Sequence, residues 1–300
     1  EVEVFEYSMA GSKGMQAKDN QDTTLVLRDF LGVEGLTGVG VFDGHGENGG
    51  IVSQYVAEQL PLILERCAGN AIRAGDVERI VKSLQKTFVE TDDKVKAGLE
   101  RSVGLQFDGT TACFALLKGD SAIIAGLGDS RCVLGGSNGR FRAVTCDHTP
   151  ASKAERLRIE ACGGSVGSFP DEPPPEVTGK GRLFVAGQMF PGLALSRAFG
   201  DLVAKSVGLS AVPDVEAVQL RSSDSFLIVG SDGLWDVISD RQAVGIAAEF
   251  ADTRDAVLAS NALVESARSL WEGYREDAGS FGGDNSGFNI DDISAVVVYF

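Results

Sequence analysis

The sequence has 300 residues, of which 43% are hydrophobic and 23% are charged, a composition ordinary for a soluble globular protein. Its 27 basic and 43 acidic residues give a formal net charge of −16, whereas nucleic-acid-binding surfaces concentrate positive charge. No apolar run approaches the roughly 20 residues that span a bilayer. We therefore expect no nucleic-acid partner and no membrane span, and a phosphate-bearing substrate would need a bound cation to attract it.

The apolar patterns predict alternating blocks of strands and helices along the chain. A strand over 36–42 leads into Asp-Gly-His-Gly, and two amphipathic helices follow, around 52–63 and 77–88. Turn dipeptides then divide 110–144 into a series of hairpin strands. Further on, the pattern predicts a helix over 152–162, strands over 215–220, 225–229 and 293–300, and a long helix around 263–271. This order favours an α+β fold, a central sandwich of two antiparallel β-sheets flanked by helices.

Neither an internal repeat nor a low-complexity linker divides this pattern, so we expect a single domain over residues 1–300. The Pro-rich stretch 168–182 is interpreted as a surface loop. The five cysteines have no C-x-x-C spacing and favour reduced core thiols, hence an intracellular protein, cytoplasmic or nuclear. Because the chain does not begin with Met, a targeting segment ahead of it is not excluded.

Aspartates recur where the predicted strands begin or end. They are Asp22, Asp43, Asp129, Asp232, Asp236, Asp291 and Asp292. Each one alone is typical of a turn or a helix cap. Gathered at one edge of packed sheets, however, so many carboxylates would repel one another and would require a cation. Oxygen ligands with no Cys and little His favour Mg²⁺ or Mn²⁺ over Zn²⁺.

Eight motifs occur in an order that resembles the metal-dependent protein serine/threonine phosphatases of type 2C, the PPM family. They are NQD, VFDGHGENGG, DGTTACFALL, AGLGDSRCVL, TCDHTP, PGLALSRAFGD, SDGLWDVISDRQAV and DDISAVVV. A lone Asp-Gly-His-Gly would be a weak signal, but the ordered set is specific and runs from about residue 20 to the C-terminus. The resemblance implies hydrolysis of phosphoserine and phosphothreonine esters in phosphoprotein substrates, by a chain that we expect to be monomeric.

The resemblance also implies a binuclear Mg or Mn centre between the two sheets. Asp43 would bridge the two ions, and the Gly44 carbonyl would bind one of them. Asp232 and Asp291 would bind the other, and Asp22 would assist directly or through water. A water shared by two cations loses a proton readily, and the resulting hydroxide would attack phosphorus in line.

Three further residues take roles from the same resemblance. Asp129 and Asp236 match the acids that hold a third, weaker ion. His45 matches the general acid that protonates the departing serine or threonine oxygen, a task for which an imidazole has a suitable pKa.

The chain departs from the family pattern at two positions. Gln21 precedes Asp22 where some members have Glu, which removes one charge near the second ion. Where many members place an arginine that holds the substrate phosphate, this chain has Ala17, with Lys18 beside it. Lys18 is therefore a candidate phosphate-binding residue, without the bidentate fork of arginine, and a solvated loop lysine is the alternative.

The remaining matching motifs are interpreted as architectural. They contain His148, Ser196, Arg197 and Asp201. The segment 202–214 is expected to form a flap beside the cleft that tunes substrate choice. The alternative function is a non-catalytic, phosphatase-like scaffold. Scaffold members typically lack one or more metal acids, and the presence of Asp43, Asp232 and Asp291 favours an enzyme.

Overall fold

The computed structural model describes residues 2–14, 16–280 and 288–300. Its strands are β1 (Glu3–Met9), β2 (Ser12–Lys13), β3 (Gln16–Ala17), β4 (Asp22–Leu27), β5 (Thr37–His45), β6 (Gly109–Thr110), β7 (Ala112–Lys118), β8 (Ser121–Leu127), β9 (Arg131–Gly135), β10 (Phe141–Ala143), β11 (Gly164–Gly167), β12 (Arg182–Val185), β13 (Pro191–Leu193), β14 (Phe199–Gly200), β15 (Asp214–Gln219), β16 (Phe226–Gly230), β17 (Asn289–Ile290) and β18 (Ile293–Tyr299). Its helices are α1 (Gly49–Ala74), α2 (Val77–Leu99), α3 (Lys153–Ala161), α4 (Pro175–Thr178), α5 (Leu202–Lys205), α6 (Asp232–Trp235), α7 (Asp240–Ala248) and α8 (Ala256–Ser280), and Phe30–Gly32 forms a 3-10 turn.

Two antiparallel sheets form the centre of the fold. One has the strand order β1-β18-β16-β9-β10. The other has the order β14-β6-β5-β7-β8-β15, and β4 pairs with β5. Two small sheets, β11-β12-β13 and β17-β2-β3, lie beside them.

The central strands are buried on both faces because their alternate residues enter different cores. Val39 and Val41 of β5 pack between the two sheets, whereas Phe42 packs under α1 and α2. On β16, Leu227 and Val229 face the inter-sheet core, and the alternate residues Phe226 and Ile228 face α7 and α8. Fully burying one such side chain stabilises the fold by roughly 1.5–3 kcal/mol. The resulting order of layers, helices, sheet, sheet, helices, confirms the predicted fold class.

The predicted elements are confirmed, with shifted boundaries. The predicted strand over 36–42 continues through Asp43 to His45, because Gly44 and His45 pair with Thr110 and Gly109 of β6. The helix predicted over 152–162 is α3, and α2 begins where Asp76 accepts a hydrogen bond from the Arg79 backbone N–H. Among the described residues, no helix is both long and apolar enough to cross a membrane.

The topology brings one end of each central strand to the same edge of the sandwich. Asp22 at the start of β4 lies opposite Asp43 near the end of β5. In the facing sheet, Gly230 at the end of β16 pairs with Arg131 at the start of β9 and with Ala295 near the start of β18. The β8–β9 turn, the β16–α6 junction and the β17–β18 junction therefore meet the β4–β5 edge.

Candidate metal centre and catalytic cleft

A cleft of about 370 Å³ lies at this edge. It is lined by Lys18, Gln21, Asp43, Gly44, His45, Gly46, Phe107, Thr111, Asp129, Arg182, residues 191–195, Asp201, Asp232 and Asp291. Seven of the nine candidate metal-binding, catalytic and phosphate-binding residues are among them: Lys18, Asp43, Gly44, His45, Asp129, Asp232 and Asp291. The other two lie beside this lining, Asp22 buried beneath it and Asp236 outside it.

At the two Asp-Gly dipeptides of the site, Asp43-Gly44 and Asp232-Gly233, the backbone packs closely against another segment and does not form an ordinary turn. A Cβ on Gly44 would lie 2.3 Å from the Gly49 carbonyl oxygen, at the start of α1. A Cβ on Gly233 would lie 1.9 Å from the Asp292 carbonyl oxygen. Glycine at these positions lets β5 meet α1 and lets α6 meet the β17–β18 junction. The second contact brings the segments that carry Asp232 and Asp291 together.

Asp22 is a buried carboxylate that the chain satisfies only in part. Its Oδ2 accepts a hydrogen bond of 2.7 Å from the Ser231 hydroxyl. Its Oδ1 is buried and has no hydrogen-bond partner among the described residues. Burial raises the pKa of Asp22 to about 7, although the nearby polar groups of Ser294 and Ser231 act to lower it, and the charges of Asp292 and Asp291 raise it further.

The carboxylates of the cleft repel one another. Burial raises the pKa of Asp43 well above its usual range, and the charges of Asp232, Asp22 and Asp291 add to the effect. The pKa of Asp232 is likewise raised, by burial and then by Asp129, Asp291 and Asp236. Burial and neighbouring acids also raise the pKa of Asp129, to about 6. Such a group keeps all its charges only when a cation is supplied.

The donor set fits hard divalent ions. It consists of carboxylate oxygens, a partnerless buried oxygen of Asp22 and the backbone beside Asp43. No three His, Cys, Asp or Glu side chains in the described part of the chain form a metal site by themselves. Backbone carbonyls or water must therefore complete any coordination shell, as the predicted role of the Gly44 carbonyl requires.

Asp129 and Asp236, the candidates for a third ion, are linked by charge to a lysine that sequence reasoning did not single out. Lys180 Nζ lies 2.9 Å from Asp236 Oδ1. Burial lowers the pKa of Lys180, but Asp236 together with Asp129 and Asp232 raises it overall. The candidate site of the third ion therefore already has a positive charge beside it, the ammonium group of Lys180 from the Pro-rich stretch.

His45 forms a close pair with Asp201. Its Nε2 lies 2.6 Å from Asp201 Oδ2, and the Asp201 backbone has a positive φ of 51°. The Asp201 backbone N–H donates to the Asp108 carbonyl at 2.9 Å, which helps to hold this conformation. Burial lowers the pKa of His45, but the Asp201 carboxylate outweighs burial and raises it overall. Asp201 thus contacts the candidate general acid, a role that its interpretation as architectural missed.

Lys18 lines the cleft but is engaged by acids. Its Nζ lies 2.9 Å from Asp291 Oδ1 and 3.4 Å from Asp292 Oδ2. Asp292 is a buried clamp, because its two carboxylate oxygens accept the backbone N–H groups of Gly11 and Gln21 at 2.6 and 3.0 Å. Lys18, which lies between β3 and β4, is therefore paired with a predicted metal ligand. It is not the freely solvated loop lysine of the alternative interpretation.

The expectation that 202–214 forms the flap beside the cleft is wrong. Of the chain after 160, the cleft is lined by Arg182 and 191–195, together with Asp201 and the predicted ligands Asp232 and Asp291. Val207 and Leu209 are instead buried in a small core with Leu183 and Leu195, which fixes 202–214 behind the cleft wall. We call residues 164–195, with the three-stranded sheet β11-β12-β13, the flap.

Arg182 stands at the inner face of this flap. Its guanidinium donates to both carboxylate oxygens of Glu172 and to the Gly192 carbonyl, and it lies 5.1 Å from the centre of the Phe169 ring. Through these contacts the Pro-rich stretch, interpreted as a surface loop, contributes Arg182 to the cleft wall. No local sequence signal beyond the charge of Arg182 and Lys180 indicated this.

The architectural interpretation of His148 and Arg197 agrees with their contacts. Arg197 lies 2.9 Å from Glu155 and 2.7 Å from Asp214. His148 Nδ1 accepts the Gly128 backbone N–H at 3.1 Å, so Nε2 carries the proton and donates to Asp214. Burial and the charge of Arg197 lower the pKa of His148, as expected for a neutral histidine.

An α+β sandwich with an acidic cleft between its sheet edges defines the class of the protein. The family model described as Protein phosphatase 2C matches residues 18–270. Among similar curated proteins, Probable protein phosphatase 2C 34 of Arabidopsis thaliana is 35% identical over 98% of this chain and 79% of its own length. Probable protein phosphatase 2C 73 of the same plant is 34% identical over 98% of this chain and 78% of its own length.

The fold likeness extends to solved structures. The serine-threonine phosphatase 2C of Toxoplasma gondii superposes with a TM-score of 0.80 at 24% identity, covering 100% of this chain and 95% of that one. The chain belongs to the protein phosphatase 2C family.

Proposed function

We propose that this protein is a metal-dependent phosphatase that hydrolyses phosphoserine and phosphothreonine esters in proteins. The observation that carries the proposal is the group of carboxylates whose pKa values are raised by burial and by one another, at the sheet edge of a protein phosphatase 2C fold. The inter-sheet core draws on strands from both ends of the chain, which supports one catalytic domain over residues 1–300.

The proposed metal ligands are the groups that the chain leaves unsatisfied. Asp43 and the Gly44 carbonyl would hold one Mg or Mn ion, and Asp43 would share the second ion with Asp232 and Asp291. Asp22, with its partnerless Oδ1, would support this centre directly or through water. When bound, the two ions supply positive charge that polarises a water molecule for attack on phosphorus and neutralises the phosphoryl oxygens.

The other groups of the cleft would act on the leaving oxygen and the phosphate. His45, kept protonated by Asp201, donates a proton to the serine or threonine oxygen as the P–O bond breaks. Asp201 orients the imidazole through Nε2. Lys18, which already faces the cleft, contributes positive charge to the phosphate.

Asp129 and Asp236 form the proposed site of a third, weaker ion. Lys180 competes with that ion, because its ammonium group lies 2.9 Å from Asp236. The third ion would therefore bind when the flap carrying Lys180 moves away from Asp236.

We further propose a monomeric catalytic unit in the cytoplasm or nucleus. Every group named for the site comes from one chain, and all five cysteines are free thiols, which suits a reducing compartment.

The test is hydrolysis of phosphoserine and phosphothreonine peptides by metal-stripped protein, before and after addition of Mn²⁺ or Mg²⁺. We expect no turnover after EDTA and recovery with either ion, and Asp43→Asn should stay inactive throughout. Turnover that survives exhaustive chelation would contradict the metal centre. Binding of Mn²⁺ without turnover on any phosphopeptide would instead favour the phosphatase-like scaffold.

A further inference from the structure

A second charged surface lies away from the catalytic cleft. Four arginines, Arg140, Arg142, Arg221 and Arg241, surround a depression of about 380 Å³, and Asp224 is the one acid in its lining. We call these four residues the arginine surface. The chain as a whole carries a net charge of −16, so four arginines around one depression are an exception in its charge distribution.

Most of this positive charge has no intramolecular partner. Arg142 pairs with Asp224 at 3.4 Å, and Arg241 lies 5.4 Å from the centre of the half-exposed Phe141 ring. Within 2–14, 16–280 and 288–300, the side chains of Arg140, Arg221 and Arg241 have no carboxylate within ion-pair distance. The surface therefore presents three uncompensated guanidinium groups to solvent.

The backbone beneath the arginines is well fixed. In the β9–β10 hairpin, Gly136 N–H donates to the Arg140 carbonyl at 2.9 Å. In the turn before β16, the Arg221 backbone N–H donates to Asp224 Oδ2 at 3.0 Å. Arg241 lies in the first turn of α7, which begins with a capping box at Ser239. Three elements of one core thus fix the backbone positions from which the arginines surround one depression, which lowers the backbone entropy lost when an anion binds.

The same place has a free sheet edge. β10 is the outermost strand of its sheet in the described structure, and Phe141 and Ala143 on it are exposed. An outermost strand offers backbone N–H and C=O groups to an added extended chain. Positive side chains beside an open strand edge suit an extended acidic peptide.

The arginine surface and the cleft lie at opposite ends of β16. Phe226 begins this strand next to the Arg221–Asp224 turn, and Gly230 ends it two residues before Asp232. Five residues of strand span about 17 Å, so a group bound at the arginines cannot also occupy the cleft. An extended substrate needs at least about five residues, at roughly 3.3 Å per residue, to span this distance, and about ten residues also allow it to follow the curved surface.

We propose that the arginine surface is a docking site for an acidic, extended segment of the phosphoprotein substrate, separate from the phosphoester that is hydrolysed. The proposal rests on the phosphatase function proposed above. Asp224 already pairs with Arg142, so Arg140, Arg221 and Arg241 are the arginines available to such a segment. Nucleic acid and anionic membranes fit less well, because the strongly negative remainder of the protein repels a large polyanion.

Direct binding tests the surface without reference to catalysis. The probe is a fluorescein-labelled peptide of alternating Asp and Glu, read by anisotropy against a peptide in which Asn and Gln replace these residues. The test variant is Arg140→Gln/Arg221→Gln/Arg241→Gln, which leaves the Arg142–Asp224 pair intact. The matched control removes three exposed charges elsewhere, Lys96→Gln/Arg101→Gln/Lys153→Gln.

We expect the acidic peptide to bind the wild-type protein, and the binding to weaken with salt. The arginine variant should lose about tenfold or more in affinity, and the control variant should stay within about twofold. Equal binding by both triple variants, or no preference over the Asn/Gln peptide, would overturn the proposal. Tighter binding of a single-stranded oligonucleotide or of phosphatidylserine vesicles than of the peptide would also overturn it.

Kinetics then connect the surface to the substrate. A phosphoserine peptide with an acidic tail about ten residues away should have a KM several-fold below that of the same peptide with a neutral tail. The arginine variant should lose this difference, with hydrolysis of p-nitrophenyl phosphate unchanged. A difference that persists in the variant would overturn the docking role. Absence of hydrolysis of either peptide would count against the proposed function, and the anisotropy result would still decide on the surface.

Discussion

Two groups of buried acids in this protein experience opposite electrostatics. In the cleft, burial raises the pKa of Asp22 to about 7 and that of Asp129 to about 6, and neighbouring carboxylates add to these shifts. Behind the cleft wall, Glu155 is also buried, but Arg197, Arg158 and Ser196 outweigh burial and lower its pKa to about 2. Burial acts to raise the pKa in both places, and the two places differ in whether the chain supplies positive charge.

This difference separates a structural acid from one that needs an external partner. Glu155 is paired by arginines at 2.7 and 2.9 Å and holds α3 to the Ser196–Arg197 segment. Asp43 and Asp232 are surrounded mainly by other acids, and Asp22 leaves one buried oxygen without a partner among the described residues. A fold that keeps such a group forgoes stability in the metal-free state, which is expected of a site for cations.

The largest effects are expected when one acid of each group is replaced by its neutral amide. Asp232→Asn should lower phosphopeptide kcat by about 10³-fold or more, because a ligand is lost, while the metal-free protein gains on the order of 1 kcal/mol from relieved repulsion. Glu155→Gln should instead destabilise the protein and leave kcat nearly unchanged. The expected loss is about 3 kcal/mol of unfolding free energy, because Arg197 and Arg158 lose a buried partner. Urea unfolding in EDTA and single-substrate kinetics measure both quantities.

Correctly folded Glu155→Gln should retain nearly normal kcat at a temperature well below its melting point. The comparison would fail if Asp232→Asn turned over at the wild-type rate. It would also fail if that variant destabilised the metal-free protein as much as Glu155→Gln does.

The next effect concerns the proton supplied by His45. His45→Gln should slow hydrolysis of a phosphoserine peptide by about 10²-fold or more, because a serine alkoxide needs protonation as it leaves. It should slow p-nitrophenyl phosphate hydrolysis much less, because nitrophenolate leaves without a proton. Asp201→Asn should show the same selectivity more weakly, since Asp201 acts through the imidazole.

Equal losses on the two substrates, or a loss that extra Mn²⁺ restores, would show that His45 only shapes the metal environment. Mn²⁺ affinity measured by calorimetry on both variants separates these outcomes.

The sequence was sufficient to predict the sandwich and the acidic edge, because local patterns specify both. Apolar runs that end in Asp predict a strand whose end reaches the sheet edge, and β5 and β16 follow that rule. The Asp201–His45 pair spans 156 residues, and the Lys180–Asp236 pair spans 56. No periodicity carries such long-range information, so the sequence alone indicates an architectural role for Asp201 and a surface loop for the stretch containing Lys180.

The position of the flap was missed for a related reason. The segments 164–195 and 202–214 both contain glycines and short apolar groups, and the proline content of the first predicts a surface loop without showing what it covers. Val207 and Leu209 are buried with Leu183 and Leu195, which fixes the second segment behind the wall formed by the first. Sequence spacing does not show which of two similar segments covers the other.

The two groups should also respond oppositely to pH. In the unfolded chain Asp22 ionises near its ordinary pKa of 3.8, whereas in the folded, metal-free protein it keeps its proton up to about pH 7. The folded state therefore binds more protons between these values, and its stability falls as pH rises from about 4 to 7, on the order of a few kcal/mol. Glu155, with its pKa lowered to about 2, contributes stability that is lost as pH falls from about 4.5 to 2.

Urea unfolding in EDTA at a series of pH values measures these slopes. Asp22→Asn should reduce the loss of stability between pH 5 and 7.5 and leave the acid limb unchanged. Glu155→Gln should flatten the acid limb alone. Identical slopes for wild type and Asp22→Asn would mean that Asp22 titrates as an ordinary carboxyl.

The smallest effect should come from Lys18, a cation among the acids of the cleft. Its ammonium group lies 2.9 Å from Asp291, so it competes with a metal ion for that carboxylate and also faces the position of the substrate phosphate. Lys18→Met should raise KM for a phosphopeptide about 3–10-fold with kcat little changed, and it should tighten Mn²⁺ binding a few-fold. Lys18→Arg should keep KM near the wild-type value, because arginine keeps the charge and adds a bidentate fork for phosphate. Tighter Mn²⁺ binding with an unchanged KM would show that Lys18 only neutralises Asp291 and that the phosphate is held by the metal ions alone.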